Sequence, residues 1–175
     1  GPDGTIWIAA ESSAGVRLYS YTTENGIVQA QGYGNMVMDY YMNLVVRNDG
    51  IVILTGASSA GSTSTLYIYA FKPDGSVLQD HSINIQSVST EEKKNLELDA
   101  NGNLWLCYLN GSTHPTSHFL SVAMLPNSWN GIGDQTWFTE TVPRGNIPSS
   151  EGYGEGCSID SFSSGQIIVT STVKQ

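Results

Sequence analysis

Asp3-Gly4-Thr5-Ile6-Trp7-Ile8 is a turn followed by an apolar strand, and it returns along the chain. The second copy is Asp49-Gly50-Ile51-Val52-Ile53-Leu54 and the third is Asn101-Gly102-Asn103-Leu104-Trp105-Leu106. A degenerate fourth is Ser164-Gly165-Gln166-Ile167-Ile168-Val169. The glycines fall 46, 52 and 63 residues apart. Asp-Gly and Asn-Gly supply the positive φ that tight hairpin turns need. The residues after them suit a pleated, buried surface.

Other landmarks repeat in the same order. Glu11-Ser12-Ser13-Ala14-Gly15 matches Ala57-Ser58-Ser59-Ala60-Gly61. Leu18-Tyr19-Ser20-Tyr21 matches Leu66-Tyr67-Ile68-Tyr69. Glu24-Asn25-Gly26-Ile27-Val28 matches Pro73-Asp74-Gly75-Ser76-Val77. A short strand precedes each central turn: Asn43-Leu44-Val45-Val46, Asn95-Leu96-Glu97-Leu98 and Ser158-Ile159-Asp160-Ser161. Each unit thus holds four short strands. No segment sustains a helical period; the closest is Val88 to Leu98, where Glu91-Glu92-Lys93-Lys94 fits one turn of helix.

An antiparallel four-stranded unit recurring every ~40–50 residues resembles the blades of the β-propeller superfamily. The Gly-His and Trp-Asp pairs of WD40 repeats are missing, and Asp3-Gly4-Thr5-Ile6-Trp7 only brushes the sialidase Asp-box. The resemblance implies an all-β fold of propeller-like blades, about three full blades plus a strand. The repeats run over approximately 1–47, 48–99 and 100–162, with a partial one at 163–175. Residues 1–175 then form a single propeller-like domain or a fragment of one. A β-sandwich with coincidental repetition is the alternative. Closed propellers have about four to eight blades. The expectation is therefore a piece of a longer chain, or a ring completed by blades from other subunits.

The 175 residues carry 7 Lys plus Arg against 16 Asp plus Glu, a net charge of −9. That argues against an unaided nucleic-acid binder, because phosphate recognition rests on clustered cations. Hydrophobic residues, 39% of the chain, are spread evenly, which argues against disorder and membrane insertion. Charged residues are only 13%, as expected when blades bury both faces against neighbours. Gly1 to Ala10 lacks a basic n-region and a cleavage motif, as would a mature secreted protein. Cys107 and Cys157 could bridge, or each could be a small buried hydrophobe. Asn110-Gly111-Ser112 is a glycosylation sequon. Low charge with abundant Ser, Thr, Gly and Asn fits an extracellular, virion-surface or cell-surface protein.

Strands alternate direction, so successive connections alternate between the two ends of each blade. The turns at Asn48–Gly50, Ala100–Gly102, Ser163–Gly165, Thr23–Gly26 and Lys72–Gly75 are short and share one end. Pro126 to Asp134 is a longer connection at that end. Long connections are expected at the other end: 10–15, 55–64, 110–117, 30–42, 83–94 and 141–156. Long loops on a rigid scaffold carry binding. Gly32-Tyr33-Gly34 and Gly152-Tyr153-Gly154 occur there, with Tyr40 and Tyr41 near the first. A Tyr between glycines, if exposed, can stack on a sugar or a partner surface. Asp39, Glu151 and Glu155 can accept hydrogen bonds from hydroxyls. The same pattern also fits tyrosines packed between blades, with glycines serving only as turns.

No catalytic constellation stands out. His114 and His118 are four apart, but Pro115 between them disfavours a helix that would align them as metal ligands. There is no CxxC pair, no HExxH, no complete EF-hand after Asp99 and no Gly-x-Ser-x-Gly elbow. A sialidase-like arginine triad would need Arg17, Arg47 and Arg144, whose strand positions scatter them. Two loop carboxylates among Asp39, Glu91, Glu151 and Glu155 leave general glycoside hydrolysis open. The leading expectation is a non-enzymatic module that recognises glycan or protein through the long-loop face, with no cofactor, no metal and no catalytic residue. The alternatives are a carbohydrate-active propeller enzyme completed by further blades, and a purely structural assembly subunit.

Overall fold

A computed structural model describes residues 1–12, 15–33, 40–60, 63–85, 95–111, 118–127, 138–143 and 154–173. Among these residues the chain is all-β, with thirteen strands in four antiparallel sheets. Sheet I holds β1 (Ile6–Ser12), β2 (Gly15–Thr22) and β3 (Gly26–Tyr33). Sheet II holds β4 (Tyr40–Val46), β5 (Val52–Ala60), β6 (Thr63–Phe71) and β7 (Val77–Ile85). Sheet III holds β8 (Leu96–Leu98), β9 (Leu104–Gly111), β10 (His118–Leu125) and β11 (Phe138–Pro143). Sheet IV holds β12 (Gly154–Ser161) and β13 (Ile167–Val173). In every sheet the strands pair in chain order, as hairpins do. Leu96 to Leu98 is strand; the helical turn expected at 91–94 lies outside the described residues.

The turns explain the repeat. At each of four of them a residue's carbonyl accepts from the glycine three positions on: Arg47 from Gly50, Lys72 from Gly75, Asp99 from Gly102 and Phe162 from Gly165. The first residue's N–H then donates to the carbonyl four positions on, for example Arg47 to Ile51 at 2.9 Å. This is a three-residue hairpin with a glycine bulge. Only the glycine needs positive φ, and among the described residues no residue other than glycine adopts it. The aspartate before it works through its side chain. Asp3, Asp49 and Asp74 each accept the N–H of the residue two positions on, at 2.9, 3.3 and 2.8 Å.

The opposite end departs from expectation. Ser12 pairs with Gly15 and Ala60 pairs with Thr63, so β1–β2 and β5–β6 join through two residues each. The small residues at 55–60 read as loop but are strand. Thr55 and Ala57 are fully buried, where a larger side chain would hold the neighbouring sheet off. The longer connections at that end are 34–39, 86–95, 112–117 and 144–153.

Sheets pack face on face through three clusters. Between I and II, Val16 and Leu18 meet Val52, Leu54, Tyr69 and Phe71, with Trp7 and Ala9 alongside. Between II and III, Ile53, Leu66 and Ile68 meet Leu96, Leu104, Leu106 and Leu125. Between III and IV, Cys107 and Trp105 meet Cys157, Ile159, Ile167 and Val169. β5 therefore sends Val52 and Leu54 one way and Ile53 and Thr55 the other, all four fully buried. A strand covered on both faces reads as an unbroken apolar run, and each such side chain contributes roughly 1.5–3 kcal/mol on burial.

The first strands of successive sheets meet: β4 touches β8, and β8 touches β12. Asn95, fully buried on the loop into β8, accepts from Asn43 Nδ2 at 2.9 Å and from Thr55 Oγ1 at 3.5 Å. One junction further on, Ser161 Oγ donates to Glu97 at 2.9 Å. There too a disulfide joins Cys107 of β9 to Cys157 of β12, with Cα atoms 6.2 Å apart.

Candidate functional site

The sheets have two ends of different chemistry. The glycine-turn end is closed by its own hydrogen bonds. Asp99 is its hub. Its carboxylate accepts the N–H groups of Asn101 and Asn103 at 2.8 and 2.9 Å, Asn103 Nδ2 at 2.8 Å and Trp105 Nε1 at 3.0 Å. Burial pushes the Asp99 carboxyl up, but the donors from Trp105, Asn103 and Asn101 outweigh it and hold its pKa below 3.8. Asp3 is held low by the N–H and hydroxyl of Thr5, and Asp74 by the hydroxyl and N–H of Ser76.

Arg47 follows β4 at this end. It pairs with Asp49 at 2.8 Å and donates to the Asn127 carbonyl at 3.1 Å, clasping sheet II to the β10–β11 connection. The Asn127 N–H in turn donates to Asn103 Oδ1 at 3.0 Å. These carboxylates and this guanidinium serve turns and sheet contacts. Arg17 lies on β2, opposite Ala10 and at the other end of its sheet from Arg47; Arg144 lies outside the described residues.

The recognition residues expected from sequence fall at the opposite end where the backbone is described. Tyr33 closes β3, opposite Val16. Tyr40 and Tyr41 open β4, with Tyr40 opposite Ala57. These three flank the 34–39 connection and sit on adjacent sheets. Glu155 lies in a bulge of β12 between Gly154 and Gly156, on sheet IV, with sheet III between it and the tyrosines. Asp39, Glu151 and Tyr153 lie outside the described residues. His118 opens β10 and Asn110 lies near the end of β9, while His114 lies outside. Among the described residues there is no group of three potential metal ligands. No helix there is long and apolar enough to cross a membrane.

Sequence reading missed the Asp99 hub and the Arg47–Asn127 clasp. Asp99 carried one usable signal, an aspartate two residues before Asn-Gly and six before a tryptophan whose indole needs an acceptor. Arg47 carried none, since its partner is 80 residues away. No family model matches the sequence, and no curated protein matches it.

Proposed function

We propose that the four sheets are consecutive blades of a β-propeller. We assign the protein to non-enzymatic recognition or assembly, with a glycan or protein ligand bound at the end opposite the glycine turns. One observation carries this reading. Antiparallel sheets meander in chain order, stack face to face, and bring β4, β8 and β12 together as neighbouring first strands. Strands meeting in this way are what blades around a common axis require. The glycine-turn end supports the choice of face, because Asp3, Asp74, Asp99 and the Arg47–Asp49 pair are committed to its turns and sheet contacts. The opposite end gathers Tyr33, Tyr40 and Tyr41 around one connection between two blades.

The buried Cys107–Cys157 bridge supports an oxidising location, extracellular or on a virion or cell surface, where such bonds persist. Glycan-array and protein-binding measurements on the wild-type chain and on Tyr33→Ala and Tyr40→Ala test the ligand reading. Binding should fall at least tenfold in each variant while the melting temperature holds. Unchanged binding to a ligand of the wild-type chain would remove the assignment to this face.

A further inference from the structure

The three junctions between sheets are one contact repeated. Residues three or five positions after the turn glycine of one sheet meet residues two and four positions after that of the next. Trp7 and Ala9 stand against Val52 and Leu54, Ile53 against Leu104 and Leu106, and Trp105 and Cys107 against Ile167 and Val169. At the junction of sheets I and II, both inside the fold, the contact thins toward the loop end.

Phe71, Tyr69 and Tyr67 alternate along β6 and stack, with ring centroids 6.4 and 5.9 Å apart. Phe71 and Tyr69 are buried in the cluster with Leu18 and Leu54, while Tyr67, the last ring, is half-buried. Tyr67 lies opposite Gly56, and the next row on that face pairs Thr65 with Ser58. Stacked sheets stand ~10 Å apart, and side chains this small do not fill the gap. Both are half-buried. Across the junction, sheet I ends in the row Glu11, Val16 and Tyr33. Glu11 follows Trp7 and Ala9 at alternate positions of β1, so it stands on the same face, toward sheet II. It is exposed, and among the described residues no cation pairs with it. Arg17, the cation nearest in sequence, opposes Ala10 and stands on the other face of sheet I.

We infer that this slot takes a cationic side chain, lysine or arginine, from a protein partner. The cation lies over the Tyr67 ring, held in place by the stack beneath it, and pairs with the Glu11 carboxylate. The net charge of −9 draws a basic segment toward the chain. A neutral sugar stacked on Tyr67 would leave Glu11 without a counter-charge. The inference rests on the reading that ligand binds at the loop end, and it commits that end to a basic protein segment.

Titration calorimetry with hexalysine tests it, against side-chain-acetylated hexalysine and a neutral hexose oligosaccharide. Salt of about 0.15 M screens scattered surface attraction. Hexalysine should bind and the other two should not. Glu11→Gln and Tyr67→Leu should each weaken hexalysine binding about tenfold, and Tyr67→Phe should keep it. Glu24→Gln removes the same charge from the exposed β2–β3 turn and should leave binding unchanged. Glu11 is exposed, so its variant carries the test if Tyr67→Leu misfolds. No binding of hexalysine, equal losses in Glu11→Gln and Glu24→Gln, or tighter binding of the acetylated peptide or the oligosaccharide would overturn the proposal. A ligand lost in Tyr33→Ala but kept in Glu11→Gln would also overturn it, while leaving the loop-end assignment standing.

Discussion

Removing the Cys107–Cys157 bridge should loosen sheet IV before any other part of the chain. The two cysteines are 50 residues apart, and the bond ties β9 to β12. Cross-linking a loop of that length lowers the entropy of the unfolded ensemble by an amount worth about 4 kcal/mol at 25 °C. For a chain of this size each kcal/mol moves the melting temperature by about 2–4 °C, so Cys107→Ala with Cys157→Ala should melt about 8–16 °C lower. The loss should also be local. Sheet IV is held by one apolar face, the Ser161 hydrogen bonds and the disulfide, and its other face exposes Phe162 and Ile168. Elements with few buried contacts open first. Hydrogen exchange read by mass spectrometry should therefore show the greatest loss of protection in β12 and β13, with β5 and β6 little changed. A double variant melting with the wild type, or protection lost evenly across all four sheets, would refute this reasoning.

Four other substitutions probe the turn end. Asp99→Ala strands four donors, including the indole of Trp105, and should cost roughly 2–3 kcal/mol in urea unfolding. Because the folded pKa of Asp99 lies below its ordinary 3.8, its contribution is complete above that value. It fades as pH falls through the lower folded pKa, so Asp99→Asn should flatten stability against pH in that acidic window. Gly4→Ala and Gly50→Ala both force alanine to positive φ, a cost of roughly 1–2 kcal/mol. Gly50→Ala should cost measurably more by the same assay, since its Cβ would come within 3.0 Å of Pro73 Cγ while nothing lies near that of Gly4.

Strand order and class were legible because the repeat is carried by backbone chemistry. A glycine at positive φ marks the turns at Gly4, Gly26, Gly50, Gly75, Gly102 and Gly165, and Asp3, Asp49, Asp74 and Asp99 cap four of them. Register was less legible. The Leu-Tyr-x-Tyr match pairs Tyr19 with Tyr67, yet distance from the turn pairs Tyr19 with Tyr69, since Ile8 faces Tyr19 and Leu54 faces Tyr69. A slip of two residues keeps every side chain on its own face, so the apolar pattern cannot detect it. Loop length misled at 55–60 because small residues serve close sheet packing as well as loops. The disulfide stayed open because nothing in the spacing of two cysteines shows that β9 of one sheet meets β12 of the next. Of the residues expected to meet a ligand, the order of strands could give the end of the sheets where Tyr33, Tyr40 and Tyr41 fall. It could not tell that Glu155 stands a full sheet away from those three.

The central claim is that one sheet-to-sheet contact is repeated along the chain, and a cross-link at its first occurrence tests this most directly. Ala9 lies five residues after Gly4, as Cys107 lies five after Gly102, and Met42 lies eight before Gly50, as Cys157 lies eight before Gly165. Ala9 and Met42 pack at the same junction, on strands that touch. If the contact repeats, Ala9→Cys with Met42→Cys reproduces the native disulfide two junctions earlier, within the Cα range of about 4.4–6.8 Å that such bonds need. Alkylation of the oxidised, denatured protein should then find no free thiol. Full alkylation of both new cysteines would contradict the repeat.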